Sequence, residues 1–444
     1  MAGRIVLATV GTLGDLHPFI AVGRALRSRG HEVCLASMAE YRERIEAAGL
    51  GFHPVRPSAA EFMRDAGLDP AALAQRIIDE PRALFGALTF PYLRAAYADL
   101  ATVIEGASLV LTSSLAFAAR LAADALGVAR MAIVLQPFMF LSAEDPPRVP
   151  SAPGLAPLLR ALGPRAAGAL LDVLKAHAAR GAAPLRAFAA ELGVALPRDP
   201  LFAGQFSAHG TLALYSPLLG GPGAAGPPRT EILGFASYDG SDGTPGAQQS
   251  RALEEFLAAG PPPIVFTLGS FATEAAGHFY ETALEVSARL GERAVLVTGE
   301  TGAVHYAAAA SERVRIEAYA PYARVFPRAR LIVHHGGIGT VGQALRAGKP
   351  QLIVPFLADQ PDNASRVARL GAAQCLSPRR FTPSRARAYL SRLLRDATLE
   401  QRAAALGTQV ARETGAEAAV RFIEAALGPV LAAQPTLPVR ERST

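Results

Sequence analysis

Twice along the chain, short aliphatic runs alternate with amphipathic helical stretches, and that alternation leaves few architectures open. RIVLATV (4–10), HEVCLAS (31–37) and LGFHPV (50–55) read as strands, separated by the helical stretches PFIAVGRALRSRG (18–30) and EYRERIEAAG (40–49). SLVLTSS (108–114), AFAARLAADALG (116–127) and ARMAIVLQP (129–137) continue the same beat. Strands that alternate with helices pair in parallel, because each helix carries the chain back across the sheet. A second series starts at PIVFTLGS (263–270), has a helix near 277–290, and runs through AVLVTG (294–299), VRIEAYAP (314–321) and RLIVHH (330–335). With 444 residues the chain exceeds one ordinary core, so the reading is α/β with two doubly wound halves.

Residues 151–195 are Ala- and Leu-rich with no strand pattern, and read as a helical insertion over one end of the first sheet. Gly, Pro and Ser punctuate 216–250, which suits a connection between halves. The expected division is 1–215, a linker at 216–250, a second half at 251–430 and a flexible tail at 431–444.

Half of the residues are hydrophobic and 18% are charged, a balance that excludes a disordered chain. The N-terminal apolar run breaks at Gly11, short of a signal peptide, and no uncharged apolar segment reaches the roughly 18–20 residues of a membrane span. A cytoplasmic enzyme is expected. Cys34 and Cys375 fit no metal-ligand spacing and read as reduced structural thiols. The formal charge of +6 favours anionic partners in general. Its densest stretch, 377–396, places Arg385, Arg392 and Arg395 on a helix opposite Tyr389, Leu390, Leu393 and Leu394, which fits a solvated face or peripheral contact with a lipid surface. No aromatic interleaving points to nucleic acid.

The chemistry is concentrated in VHHGGIGTVGQALRAGKPQLIVPFLADQPDNA (333–364). Gly337, Gly339 and Gly342 spell G-x-G-x-x-G after a strand, with Asp359 about twenty residues on, the spacing of a dinucleotide site. A nicotinamide oxidoreductase is therefore one reading. It leaves His335 and Gln360 without a task, and the first loop, GTLGDLHP, lacks the fingerprint such enzymes commonly carry there.

Together with FTLGS (266–270), AYAP (318–321) and VGTLGDLHPFIAVGRALRSRGHEV (10–33), this stretch resembles the donor signature of GT-B nucleotide-sugar-dependent glycosyltransferases, the family of UDP-glycosyltransferases and bacterial antibiotic and macrolide transferases. GFASYDGSDGTP, HFYETALEVSARLG and VLVTG further resemble the rhamnosyltransferase B chain of rhamnolipid synthesis. The resemblance covers nearly the whole chain. It implies two Rossmann-like domains facing a cleft, with the C-terminal helix packing back on the first, and a UDP- or dTDP-sugar as co-substrate with no cofactor.

The same resemblance implies that His335 contacts the pyrophosphate, that Gly337, Gly339 and Thr340 form the turn, and that Ser270 adds a hydroxyl. Asp359 and Gln360 would hold the sugar hydroxyls. Gln343 stands where many relatives have a ribose-binding Glu, and Tyr319 where plant members have a base-stacking Trp, so Tyr319 is either a stacking residue or core. His334 either joins the site or ends its strand, and Asn363 caps a helix or braces the loop. For the acceptor hydroxyl the candidate bases are Asp15, at the position of the family's catalytic His, and His17, whose ordinary pKa suits the task better. An N-cap role is the alternative for either. No D-x-D triplet occurs, so metal-assisted transfer is not expected. The implied reaction is a single inverting displacement onto a small apolar acceptor, a natural-product aglycone or a lipid-like hydroxy acid, by a monomer or homodimer. A non-catalytic sugar-nucleotide-binding subunit is the other reading.

Overall fold

The computed structural model of the protein describes residues 3–80, 84–149, 152–223, 226–238, 240, 251–270 and 272–433. It contains two parallel sheets. The first has strands β1 (Arg4–Ala8), β2 (Glu32–Ser37), β3 (Gly51–Pro54), β4 (Leu109–Ser113), β5 (Arg130–Val134), β6 (Thr211–Ala213) and β7 (Thr230–Ile232), in the order β3-β2-β1-β4-β5-β6-β7. The second has β8 (Ile264–Thr267), β9 (Ala294–Val297), β10 (Val314–Glu317), β11 (Leu331–His334), β12 (Gln351–Ile353) and β13 (Ala373–Cys375), in the order β10-β9-β8-β11-β12-β13.

Both sheets are covered on two faces, as parallel sheets require. In β1 the side chains of Ile5 and Leu7 join one core, and those of Val6 and Ala8 the core on the opposite face. The C-terminal helix Gly415–Ala433 buries Ala419, Val420, Ile423 and Leu427 in the first sheet's core, against the helix Leu13–Ser28. Each buried aliphatic side chain there contributes roughly 1.5–3 kcal/mol. The return of the last helix to the first half therefore matches the expectation. An ion pair between Arg29 and Glu424, 2.7 Å, lies at the edge of that contact.

Three details differ from the sequence reading. The stretch expected as linker, 216–250, supplies β7, which pairs with β6 and extends the first sheet, while 241–250 lie outside the described residues. Of the helical insertion, Ala183–Glu191 adds its Leu185 and Phe188 to the core on one face of the first sheet, with the Phe188 ring edge-on to Tyr97, 5.3 Å between centroids. The longer helix, Leu155–Ala178, bends at Gly163 (φ 74°) ahead of Pro164 and makes a small cluster of its own through Leu159, Ala167 and Leu171. The tail beyond Ala433 is outside the described residues. Among those described, no helix is long and apolar enough to cross a membrane.

Candidate active site

In an open parallel sheet, ligands bind where neighbouring crossovers leave on opposite sides, beyond the carboxyl ends of the strands. In the first sheet that point lies between β1 and β4, in the second between β8 and β11. The loop after β1 carries Gly11–Asp15, that after β8 carries Gly269 and Ser270, and that after β11 carries His335–Thr340. The motifs singled out in the sequence thus cluster at the two switch points, and the two switch points face each other. A Cβ placed on Gly339 would stand 3.5 Å from the Cα of Gly14, so the helices Leu13–Ser28 and Ile338–Arg346 meet N-terminus to N-terminus.

The first of these helices starts at Leu13, five residues before the position expected from Pro18, because Thr12 caps it. Thr12 and Asp15 form a capping box. The backbone N–H of Thr12 donates to Asp15 Oδ2 at 2.8 Å and its hydroxyl donates to the same oxygen at 3.2 Å. Asp15 Oδ1 takes no part in the bonds to Thr12. Gly11 adopts φ 138°, and a Cβ there would meet the Asp15 carboxylate at 2.3 Å, so the loop closes this tightly only with glycine. Pro18, having no N–H, leaves the Gly14 carbonyl at the cleft without its helical partner.

Removal from water raises the pKa of the Asp15 carboxyl above its ordinary value, against the opposing bonds from Thr12. The capping role and a role as base are therefore compatible: one oxygen caps, and a raised pKa makes the group a better proton acceptor near neutrality. His17 is placed differently. Two residues on in a helix, it lies roughly 200° around the axis from Asp15 and packs edge-on against Tyr238, ring centroids 5.4 Å apart. The structure does not bring His17 together with Asp15.

Across the cleft the two histidines separate into two roles. His334 ends β11 and is fully buried; its Nε2 donates to Gln351 Oε1 at 2.9 Å, and its Nδ1 accepts from the Gly336 N–H at 3.1 Å. Burial lowers its pKa to about 4, so it stays neutral and fixes the turn. His335 points the other way. Its ring is seated between Gly269 and Gly337, where a Cβ would come within 2.7 Å and 2.3 Å of ring atoms. Its Nδ1 is buried without a partner among the described residues. Burial, aided by His334, pushes its pKa down to about 3, leaving a neutral imidazole beside the open N-terminus of helix Ile338–Arg346, which has no side-chain cap. Unpaired amide N–H groups, the helix dipole and an imidazole suit a diphosphate.

The glycine fingerprint has a packing explanation. Gly337 admits the His335 ring, Gly339 admits Gly14, and Gly342 admits Phe235, whose ring a Cβ would meet at 2.9 Å. The residue that turns the chain is Gly336 (φ 89°), which the sequence reading passed over; the tandem glycine after two histidines was its only signal. Thr340 is buried near Tyr322, whose hydroxyl shares a 2.6 Å bond with Thr267 Oγ1. Ser270 is exposed just beyond β8, and Gln343 is half-buried one turn past Gly339.

The loop after β12 supplies the third wall. Asp359 is bonded by Asn363 Nδ2 at 2.6 Å, and the same amide donates to the Gly336 carbonyl at 3.0 Å, so Asn363 braces the acidic loop against the glycine turn. Desolvation pushes Asp359 up to about 7, with Asp15 adding to the effect. Gln360 was expected to direct its side chain to a sugar. Its Oε1 instead accepts from the backbone N–H groups of Phe356 (2.8 Å) and Leu357 (3.1 Å), which leaves only the amide nitrogen for a ligand. Tyr319 follows β10 at the rim, half-buried, with the Arg44 guanidinium of the first half 5.9 Å over its ring.

The profile of the Glycosyltransferase family 28 N-terminal domain matches residues 5–97, and that of the erythromycin biosynthesis protein CIII-like C-terminal domain matches residues 283–425. The O-mycaminosyltylonolide 6-deoxyallosyltransferase of Streptomyces fradiae is 29% identical over 439 residues, covering 95% of this chain and 97% of its own. An uncharacterised glycosyltransferase of Mycobacterium leprae is 30% identical over 390 residues, 83% of each chain. Among solved structures, the glycosyltransferase VinC in complex with dTDP superposes with a TM-score of 0.64 at 21% identity, covering 96% of this chain and 100% of its own.

Proposed function

Since the chain belongs to the GT-B glycosyltransferases of the antibiotic type and its reaction is a sugar transfer, we propose that it moves the sugar of a dTDP- or UDP-sugar, by inversion and without a metal, onto a hydroxyl of a small apolar acceptor. The observation that carries this reading is the meeting of the two helix N-termini, one bearing Asp15 and the other His335 and the glycine turn, across a single cleft. The donor diphosphate would lie on the amides of Gly337–Thr340 and on His335, with Ser270 beside it, Tyr319 under the base and Gln343 near the ribose. Asp359 and the amide nitrogen of Gln360 would hold the sugar.

The acceptor, bound on the first half, presents its hydroxyl to Asp15 Oδ1. Asp15 takes the hydroxyl proton as the acceptor oxygen forms its bond to the anomeric carbon, and the bond from that carbon to the diphosphate oxygen breaks on the opposite face. The nucleoside diphosphate leaves with both bonding electrons. Its growing charge meets a neutral imidazole and helix amides, groups that interact more strongly with the transition state than with the bound donor. The glycosyltransferase family of the chain weighs against a nicotinamide reading of the fingerprint. We place the reaction in the cytoplasm. The dTDP complex of VinC favours thymidine over uridine.

The test is thermal unfolding with dTDP, UDP or NAD added, followed by transfer assays with the stabilising nucleotide's sugars. Ligand at ~100 times its dissociation constant stabilises by about 2.7 kcal/mol. Stabilisation by NAD alone would overturn the proposal. Absence of turnover with every acceptor, despite nucleotide binding, would favour a non-catalytic subunit.

A further inference from the structure

Arg44 belongs to the first half, on the short helix Arg42–Ala47, yet it reaches over a residue of the second. Its guanidinium carbon stands 5.9 Å from the centroid of the Tyr319 ring, within the range of a cation–π contact. Its Nη1 is buried and has no hydrogen-bond partner among the described residues. The helix is tied to the catalytic loop, because the Tyr41 hydroxyl donates to the Gly11 carbonyl at 3.0 Å. A half-buried guanidinium with one buried, unpartnered N–H at the rim of a nucleotide cleft leaves that nitrogen for an acceptor supplied by a ligand.

Resting on the proposed donor site, we infer that Arg44 is the second layer of the nucleoside-base site, so that the pyrimidine is held between the Tyr319 ring and the Arg44 plane. Two stacked layers at roughly 3.5 Å each need ~7 Å, and the present separation falls short by only about 1 Å. A small opening of the cleft admits the base between the ring and the guanidinium plane. Guanidinium is planar and weakly hydrated, which suits stacking where an ammonium does not. The contact also makes base recognition a contact between the two halves.

The experiment measures binding of dTDP, UDP and inorganic pyrophosphate to the full chain and to its R44A, R44K and Y319A variants, by calorimetry, with unliganded unfolding temperature as the folding control. R44A is expected to weaken dTDP and UDP about tenfold and to leave pyrophosphate unchanged. R44K, which keeps the charge and loses the plane, is expected to bind nucleotides nearly as weakly as R44A and serves if R44A does not fold. Equal weakening of pyrophosphate, or full recovery in R44K, would overturn the stacking role. Unchanged nucleotide binding in R44A with loss in Y319A would sink the inference and leave the base site standing. Unchanged binding in both variants would remove the base site from Tyr319 as well.

Discussion

The carboxylate of Asp15, on the first half, adds to desolvation in raising that of Asp359, on the second, to about 7. Two acids, both raised above the ordinary carboxylate value by burial, thus stand on either side of one cleft.

The first prediction concerns stability and pH. Between the ordinary value of 3.8 and about 7, folded Asp359 keeps a proton that the unfolded chain has released. Stability from this group is therefore greatest below pH ~4, falls as pH rises, and reaches its floor above pH ~7, a change of at most about 4 kcal/mol. Unliganded protein should unfold at a lower temperature at pH 8 than at pH 5.5, and D359N should lose part of that difference. An identical slope in the variant would refute the assignment.

Asp15→Asn keeps an oxygen for the Thr12 N–H but cannot take a proton. Turnover should fall by about 10²–10⁴ while dTDP or UDP affinity stays within a factor of about two. H17A, which removes the edge-on contact with Tyr238, should retain most of the activity. Steady-state rates of both variants, compared with calorimetric nucleotide binding, decide between the two candidate bases.

The neighbouring histidines should respond differently. Q351L strands the buried His334 Nε2–H and should cost about 1–3 kcal/mol in denaturant unfolding. H335A should lower kcat/KM for the donor by about 10²–10³, the scale of a lost transition-state donor. If H335A changes stability and not kcat/KM, His335 is a packing residue.

Arg366 and Asp362 form an ion pair at 2.6 Å with both side chains 2% exposed. Arg366 also donates to the Leu219 carbonyl at 2.7 Å and to Asp145 of the first half. D362A leaves a buried cation with one carboxylate fewer and should cost about 3–5 kcal/mol. The same helix begins at Gln360, so donor KM should rise with it. A denaturant midpoint equal to that of the parent protein would show the network to be energetically silent.

Much of this molecule was legible in its sequence because local rules govern it. Aliphatic runs of strand length separated by amphipathic helices dictate parallel sheets, and glycine-rich turns after strands dictate where those sheets bind ligands. Asp15, His335 and Asp359 could be singled out on that basis, since each follows a strand at its carboxyl end. What the linear order could not convey is which atoms those residues spend on the protein itself. Gln360 Oε1 and Asp15 Oδ2 are bonded to their own loops, and His17 differs from Asp15 only in helical phase. The approach of Gly14 to Gly339 and of Arg44 to Tyr319 joins residues about 325 and 275 positions apart. Contacts at such separations arise only when two independently wound sheets close on each other, and no local periodicity encodes the angle at which they do so.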